Sequence, residues 1–317
     1  MSLFKKPSEL QAKPGIVAMV YGSPGSGKST LACSAPGAVM IDTDGGVMRI
    51  NGAHQVPTLQ VTKWEDVTAA VDELRQSPEV KTLIIDTVGK MVSFIEDYIK
   101  RTAKRGDVKA DGSLSLPGYG RRKSIFSEFN KSVTVLGKNI LYVGHDKELR
   151  DGDSSVVRPD VGSDTLTSEL MKDLDLVGYM EISGNKRTIS FTPTDRYYAK
   201  NTCDMPGAIE VPVLIDEDGN LTGDNNFFGL VIKRYHDRIE SNIANNRKLE
   251  DLRLLIEGNV GEIKNAEDAN RTVEWVNGLD HVYNSKAIAG RLIAARAKEL
   301  GLKFDKVTKK YSDPDAA

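Results

Sequence analysis

Cysteine is scarce. Cys33 and Cys203 are the only two in 317 residues, too few for a disulfide scaffold, and they point to a reducing compartment. His54, His236 and His281 have no cysteine or histidine at ligand spacing, which argues against a structural zinc. Net charge is also small: 43 basic against 45 acidic residues leave −2. The chain as a whole is therefore no polyanion binder, and any nucleic-acid contact must come from local basic segments. No stretch approaches the 18 or so apolar residues that cross a bilayer, and Met1 to Lys13 lacks the apolar run of a signal peptide. The expectation is a soluble cytoplasmic protein with no membrane partner, long enough for one large domain and an appendage.

What is present alternates. Ile16 to Tyr21, Ala38 to Ile41, Thr82 to Ile85 and Asn139 to Val143 are short continuous apolar runs, the pattern of strands buried on both faces. Between them, Ser29 to Ser34, Trp64 to Gln76 and Met91 to Lys100 carry helical spacing. That alternation predicts an α/β fold with a mostly parallel sheet. Leu176 to Ser183 and Thr188 to Phe191 then read as strands joined through Gly184-Asn185, a hairpin that adds antiparallel strands. Beyond Ser241, Leu249 to Glu257, Ala266 to Asn277 and Ser285 to Leu300 predict about three helices, ending in a frayed Ser312 to Ala317. The expected organisation is a lead-in over 1–13, a core over 14–240 and a helical region over 241–317.

The first strand runs into Gly22-Ser23-Pro24-Gly25-Ser26-Gly27-Lys28-Ser29, followed by Thr30. Glycines let successive backbone N–H groups turn inward on a phosphate, and the following helix sets its positive end on the same anion. In that role Lys28 reaches the β- and γ-phosphates and Ser29 ligates Mg²⁺. Asp86 closes the third strand, where a carboxylate holds the same ion, with Thr87 assisting. Asp42 and Asp44 end the second strand, expected beside the phosphate-loop strand. Either suits a water-positioning base and either suits the turn before Gly45-Gly46; Asp44 is the favoured base. His145, in Gly144-His145-Asp146-Lys147, ends the fourth strand and suits a γ-phosphate contact or a solvated loop. No guanine-specifying motif is evident, which leans towards ATP.

This order of parts resembles the RecA-like P-loop ATPase core. Ile41-Asp42-Thr43-Asp44 resembles the strand that carries the water-activating carboxylate, and Leu83-Ile84-Ile85-Asp86-Thr87-Val88 the metal-binding strand. Tyr197-Tyr198-Ala199-Lys200-Asn201 resembles the late strand that sends a cation into a neighbouring subunit's site, which would make Lys200 a trans-acting finger. Within that superfamily the pattern is similar to compact phage RecA-like nucleotide-binding and single-strand-annealing proteins, over roughly residues 14 to 210. The resemblance implies an ATP- and Mg²⁺-dependent recombination protein in the host cytoplasm. It would bind single-stranded DNA and work as a ring or filament of its own copies. Asp44 is one methylene shorter than the family's Glu, and Thr202 stands where a second cationic finger is common. The segment after Ser241 has no counterpart and is left to a possible protein partner.

Lys100 to Lys123 holds eight basic residues against Asp107 and Asp111, with four interspersed glycines. It reads as a basic loop in which Lys104, Arg105, Arg121, Arg122 and Lys123 meet phosphates and Tyr119 stacks on a base. A solvated surface loop is the plainer alternative. Lys147 to Asp164 is the second segment that the resemblance places against DNA.

Overall fold

The computed structural model describes residues 3–151, 154–184, 186–216, 218 and 220–314. Asn185 of the expected hairpin turn, and the last three residues of the expected frayed tail, lie outside them. The chain divides into two units. One is Lys13–His236; the other comprises the described residues of Met1–Ala12 and Asp237–Ala317. The lead-in thus groups with the C-terminal helices, and the division falls inside one helix that runs through the expected 240/241 boundary.

In chain order the first unit contains β1 (Val17–Gly22), α1 (Lys28–Ala32), β2 (Ala38–Asp42), β3 (Thr58–Gln60), α2 (Trp64–Leu74), β4 (Thr82–Asp86) and α3 (Val88–Arg101). There follow α4 (Leu116–Thr134), β5 (Asn139–Asp151), β6 (Ser154–Asp160), α5 (Asp164–Asp173), β7 (Leu176–Ser183), β8 (Lys186–Ser190), β9 (Lys200–Asn201) and β10 (Ala208–Glu210). The sheet order is β10-β8-β7-β1-β5-β4-β2-β3. The six strands from β7 to β3 run parallel, while β8 and β10 add antiparallel edges. This is the expected mixed α/β, mostly parallel architecture.

The central strands are buried on both faces, as their unbroken apolar runs require. On one face Met19, Ile85, Tyr142 and Val177 meet Val67 and Val71 of α2, Met91 and Ile95 of α3 and Phe126 of α4. Each of these helices spaces its apolar residues at three and four. One expectation about topology fails. The second strand does not lie beside the phosphate-loop strand, because β5 and β4 both separate β2 from β1.

In the second unit the part of α6 (Phe227–Gly261) from Asp237 onward, α7 (Ala266–Asn277) and α8 (Ser285–Glu299) precede a hairpin of β11 (Lys303–Asp305) and β12 (Lys310–Ser312). Ile256 and Val260 of α6 form a small core with Ala269, Val276, Ala289 and Ile293. Lys6 and Ser8 of the lead-in bond the Glu250 carboxylate on α6.

Candidate nucleotide site

The loop between β1 and α1 has the backbone its glycines allow. Gly22 passes so close to Met180 that a Cβ would stand 2.2 Å from its carbonyl oxygen, and Gly27, at φ 96°, enters α1 from the left-handed region. Lys28 is 5% exposed, and its ammonium bends back onto its own loop, donating to the Ser23 carbonyl at 2.8 Å and to Ser26 Oγ at 3.3 Å. Burial lowers its pKa, while the charges of Asp146, Asp86 and Asp44 oppose that shift. The charges of three carboxylates therefore act on this lysine.

Asp86 ends β4 and is 2% exposed. Burial raises its carboxyl to about 6, helped by the Asp44 and Asp42 charges and opposed by a hydrogen bond from Ser29 and by the Lys28 charge. Its Oδ2 is buried without a hydrogen-bond partner. A serine hydroxyl in contact with a carboxylate that keeps one unpaired oxygen is a hard-oxygen donor set. It fits Mg²⁺, which is commonly held by one or two protein ligands together with substrate phosphates. Among the described residues no cluster of three or more acidic, histidine or cysteine side chains could hold an ion alone, so the phosphates would supply the remaining ligands. Thr87, at the start of α3, is buried, and its carbonyl accepts the Thr43 hydroxyl at 2.9 Å.

The two aspartates after β2 differ in kind. Asp42 is committed to the turn: Oδ1 accepts from the Asp44 and Gly46 amides at 3.2 and 3.0 Å, and Oδ2 from the Val47 amide at 3.1 Å. Asp44 keeps a buried Oδ1 with no hydrogen-bond partner, 3.6 Å from the exposed Arg49 guanidinium. Thr43 fastens this turn to β4 through the Asp86 and Thr87 carbonyls, which carries Asp44 towards Asp86 although β2 is remote from β1.

His145 stands in β5 level with Gly22 of β1, and its Nδ1 is buried without a partner. Its neighbour Asp146 was not singled out by the sequence. It accepts the Ser23 hydroxyl at 3.0 Å and gives the largest charge effect on Lys28. The available signal was a carboxylate just past the end of an apolar strand.

Other expected site residues lie elsewhere. The Lys200 ammonium, expected to reach a neighbouring subunit, donates within the chain to the Met171 and Lys172 carbonyls at 3.3 and 3.2 Å, closing the C-terminal end of α5. Lys200 pairs with Val177 early in β7, whereas the phosphate loop leaves the far end of β1. The cation is drawn there by helix-end carbonyls with no intrahelical partner.

The expected basic loop is in part helix, because Leu116 to Lys123 form the first turns of α4, while residues 102–115 connect it to α3. Arg122 is nearly buried, bonded to Glu96 and Ser163 and lying 4.8 Å from the Tyr119 ring centre. Arg121 is held by Asp107 at 2.8 Å, and Lys123 by Glu169 at 3.2 Å. Arg122, buried, must be paired in this way; Lys123 is exposed despite its partner. Tyr119, Lys104 and Arg105 remain exposed. The second expected loop is instead the β5–β6 hairpin, in which Lys147 pairs with Asp164 and Arg150 with Glu148.

A phosphate loop at the head of a helix, with a buried strand-end carboxylate two strands away across β5, defines a P-loop nucleoside triphosphatase. A protein-family model described as an AAA domain matches residues 15–203. The chain belongs to that family and is an AAA-type P-loop ATPase. No curated protein matches the chain. Among the described residues, no helix is long and apolar enough to cross a membrane.

Proposed function

We propose that the chain hydrolyses Mg²⁺-bound ATP and couples the turnover to single-stranded DNA, promoting annealing or strand pairing as an oligomer in the manner of the phage recombination proteins it resembles. One observation carries the hydrolytic half. Asp86 Oδ2 and His145 Nδ1 are buried polar atoms without hydrogen-bond partners, and Asp44 Oδ1 has none either, only the Arg49 guanidinium at 3.6 Å; they lie on β4, on β5 and in the turn after β2, beside the loop that holds Lys28. Buried groups left unsatisfied in a native fold call for a ligand or a catalytic role. Lys28 then stabilises charge on the transferred phosphate, Ser29 and Asp86 hold the ion, Asp44 orients the attacking water, and His145 meets the γ-phosphate.

The DNA half is supported by the course of β5. It runs without interruption from the sheet interior through His145 into the hairpin with β6, which carries Lys147, Arg150 and Arg158. A shift at the phosphate end would thereby pass along one strand to a hairpin whose three cations stand among five carboxylates in the sequence. The test is turnover with and without a short single-stranded oligonucleotide at low salt, where phosphate contacts are strongest. Stimulation of several-fold is expected. Unchanged turnover together with no mobility shift removes the DNA reading and leaves the ATPase.

A second reading, an assembly ATPase acting on a protein partner, draws support from adjacent exposed leucines on α6, Leu254 at 64% and Leu255 at 50%. Replacing both with Glu would then abolish coupling to the partner while leaving oligonucleotide-stimulated turnover intact.

A further inference from the structure

Beside the phosphate loop, on the side of β1 away from β5 and Asp86, a cavity of ≈ 250 Å³ opens between α1 and the β7–β8 edge. It shares Ser26, Gly27 and Thr30 with the phosphate loop. Its remaining wall is Leu31, Met180, Arg187, Val211, Pro212 and Leu214, followed by Ile215. Whole-ligand sites usually run to about 300–1,000 Å³, so this space suits one flat ring system and not an entire nucleotide.

We infer that this cavity receives the base of the bound nucleotide, a purine ring, and that Met180, Arg187 and the segment Val211–Ile215 set the preference for it. The inference rests on the nucleotide site described above, but on different residues. The nucleoside half must leave the loop on one side. Towards β5 and β4 stand the carboxylates of Asp146, Asp86 and Asp44, whose charges act on Lys28 and which offer a neutral ring no apolar face. Towards β7 the wall is apolar. Met180 and Arg187 both belong to the β7–β8 ladder, where Met180 pairs with Ile189 and Ile182 with Arg187, which places Arg187 on the same sheet face as Ile189.

Thioether and guanidinium groups each favour contact with a π face. The opposite wall is fixed in place: the Val211 amide donates to the Arg187 carbonyl at 2.8 Å, and the Thr222 amide to the Leu214 carbonyl at 3.1 Å. Asn225 ties α1 to the chain beyond this wall by donating to the Thr30 carbonyl at 2.6 Å. The cavity is therefore built before a ligand arrives.

The experiment compares ATP with Mg²⁺-tripolyphosphate, which keeps the phosphates and lacks the nucleoside, by titration calorimetry on the full chain. The expected result is that wild type binds ATP at least tenfold more tightly than tripolyphosphate, and ATP more tightly than UTP. Val211→Trp, which fills the cavity, should cut the ATP advantage about tenfold and leave tripolyphosphate binding unchanged. Arg187→Ala, at an exposed edge position that tolerates truncation, should reduce the same ratio two- to fivefold, as loss of one cation–π contact implies. If both variants keep the wild-type ratio, the base lies elsewhere and the inference is overturned. If Val211→Trp also loses tripolyphosphate, the cradle has been disturbed and Arg187→Ala decides. If wild type binds neither ligand, the nucleotide site itself is wrong, a different failure from that of the base pocket.

Discussion

Asp86 supplies the most quantitative test of the site. Its carboxyl stands near 6 instead of the ordinary 3.8, chiefly because it is buried and secondarily because Asp44 and Asp42 lie close. At about 1.36 kcal/mol per pH unit, ionising it in place costs about 3 kcal/mol. The folded protein therefore binds more protons than the unfolded chain between those values. That stabilisation is fully present below pH 4 and is lost as pH rises through 6. Asp86→Asn is close to isosteric, keeps an oxygen to accept the Ser29 hydroxyl, and never ionises.

At pH 7.5, without nucleotide or Mg²⁺, the variant should be more stable than wild type by about 3 kcal/mol. For a unit of this size that corresponds to a Tm roughly 6–12 °C higher. At pH 4 the two should melt together. The assay is thermal denaturation in EDTA across that pH range, followed by the same melts with Mg²⁺-ATP. Wild type at a hundredfold excess of ligand over Kd should gain about 2.7 kcal/mol, whereas the variant gains less and does not turn over. A variant that is less stable than wild type at pH 7.5, or a difference that does not vary with pH, refutes the assignment of Asp86 as a strained, ion-awaiting carboxylate.

Asp44→Ala should lower kcat by about 10²–10⁴, the usual value of a positioned base, whereas Asp42→Ala, which deprives three turn amides of their acceptor, should cost roughly 1–3 kcal/mol of stability; steady-state turnover and melting separate the two. Arg122→Ala should cost roughly 1.5–3 kcal/mol through the lost Glu96 and Ser163 bonds and leave the salt dependence of oligonucleotide binding unchanged, since its guanidinium is not at the surface. Lys200→Ala should lower Tm slightly, as loss of a helix-end cation worth about 0.3–1 kcal/mol implies, with turnover per subunit the same in dilute and concentrated protein; a concentration-dependent loss of turnover would restore the trans-acting role.

The parts of the site that were legible in the sequence are those fixed by local chemistry. The glycine loop, Lys28 and Ser29 follow from the demands of one backbone bend, and Asp86 from its place after an apolar run. Where a side chain's partner comes from distant sequence, reading fails. Arg122 looks like a surface cation until Glu96, 26 residues earlier, is brought against it by α3. Gly118 looks like a loop residue, yet it sits in α4 because a Cβ there would meet the Asp107 carbonyl at 2.2 Å. Pro117 beside it, at the start of that helix, needs no N–H partner. Loop punctuation and helix-start punctuation use the same residues.

Strand order is the other unreadable element, and it determines how the site works. With β5 between β1 and β4, the phosphate loop and Asp86 are separated by two strand spacings, roughly 9–10 Å. The gap is bridged because α1 lies across β5, so that Ser29 reaches Asp86. On the proposed reading, a triphosphate reaching from Lys28 to an ion at Ser29 and Asp86 would cross β5 at His145, whose Nδ1 has no hydrogen-bond partner, beside Asp146, which holds Ser23. β5 continues as one arm of the β5–β6 hairpin, so the residues that face the phosphate loop and the hairpin belong to one strand.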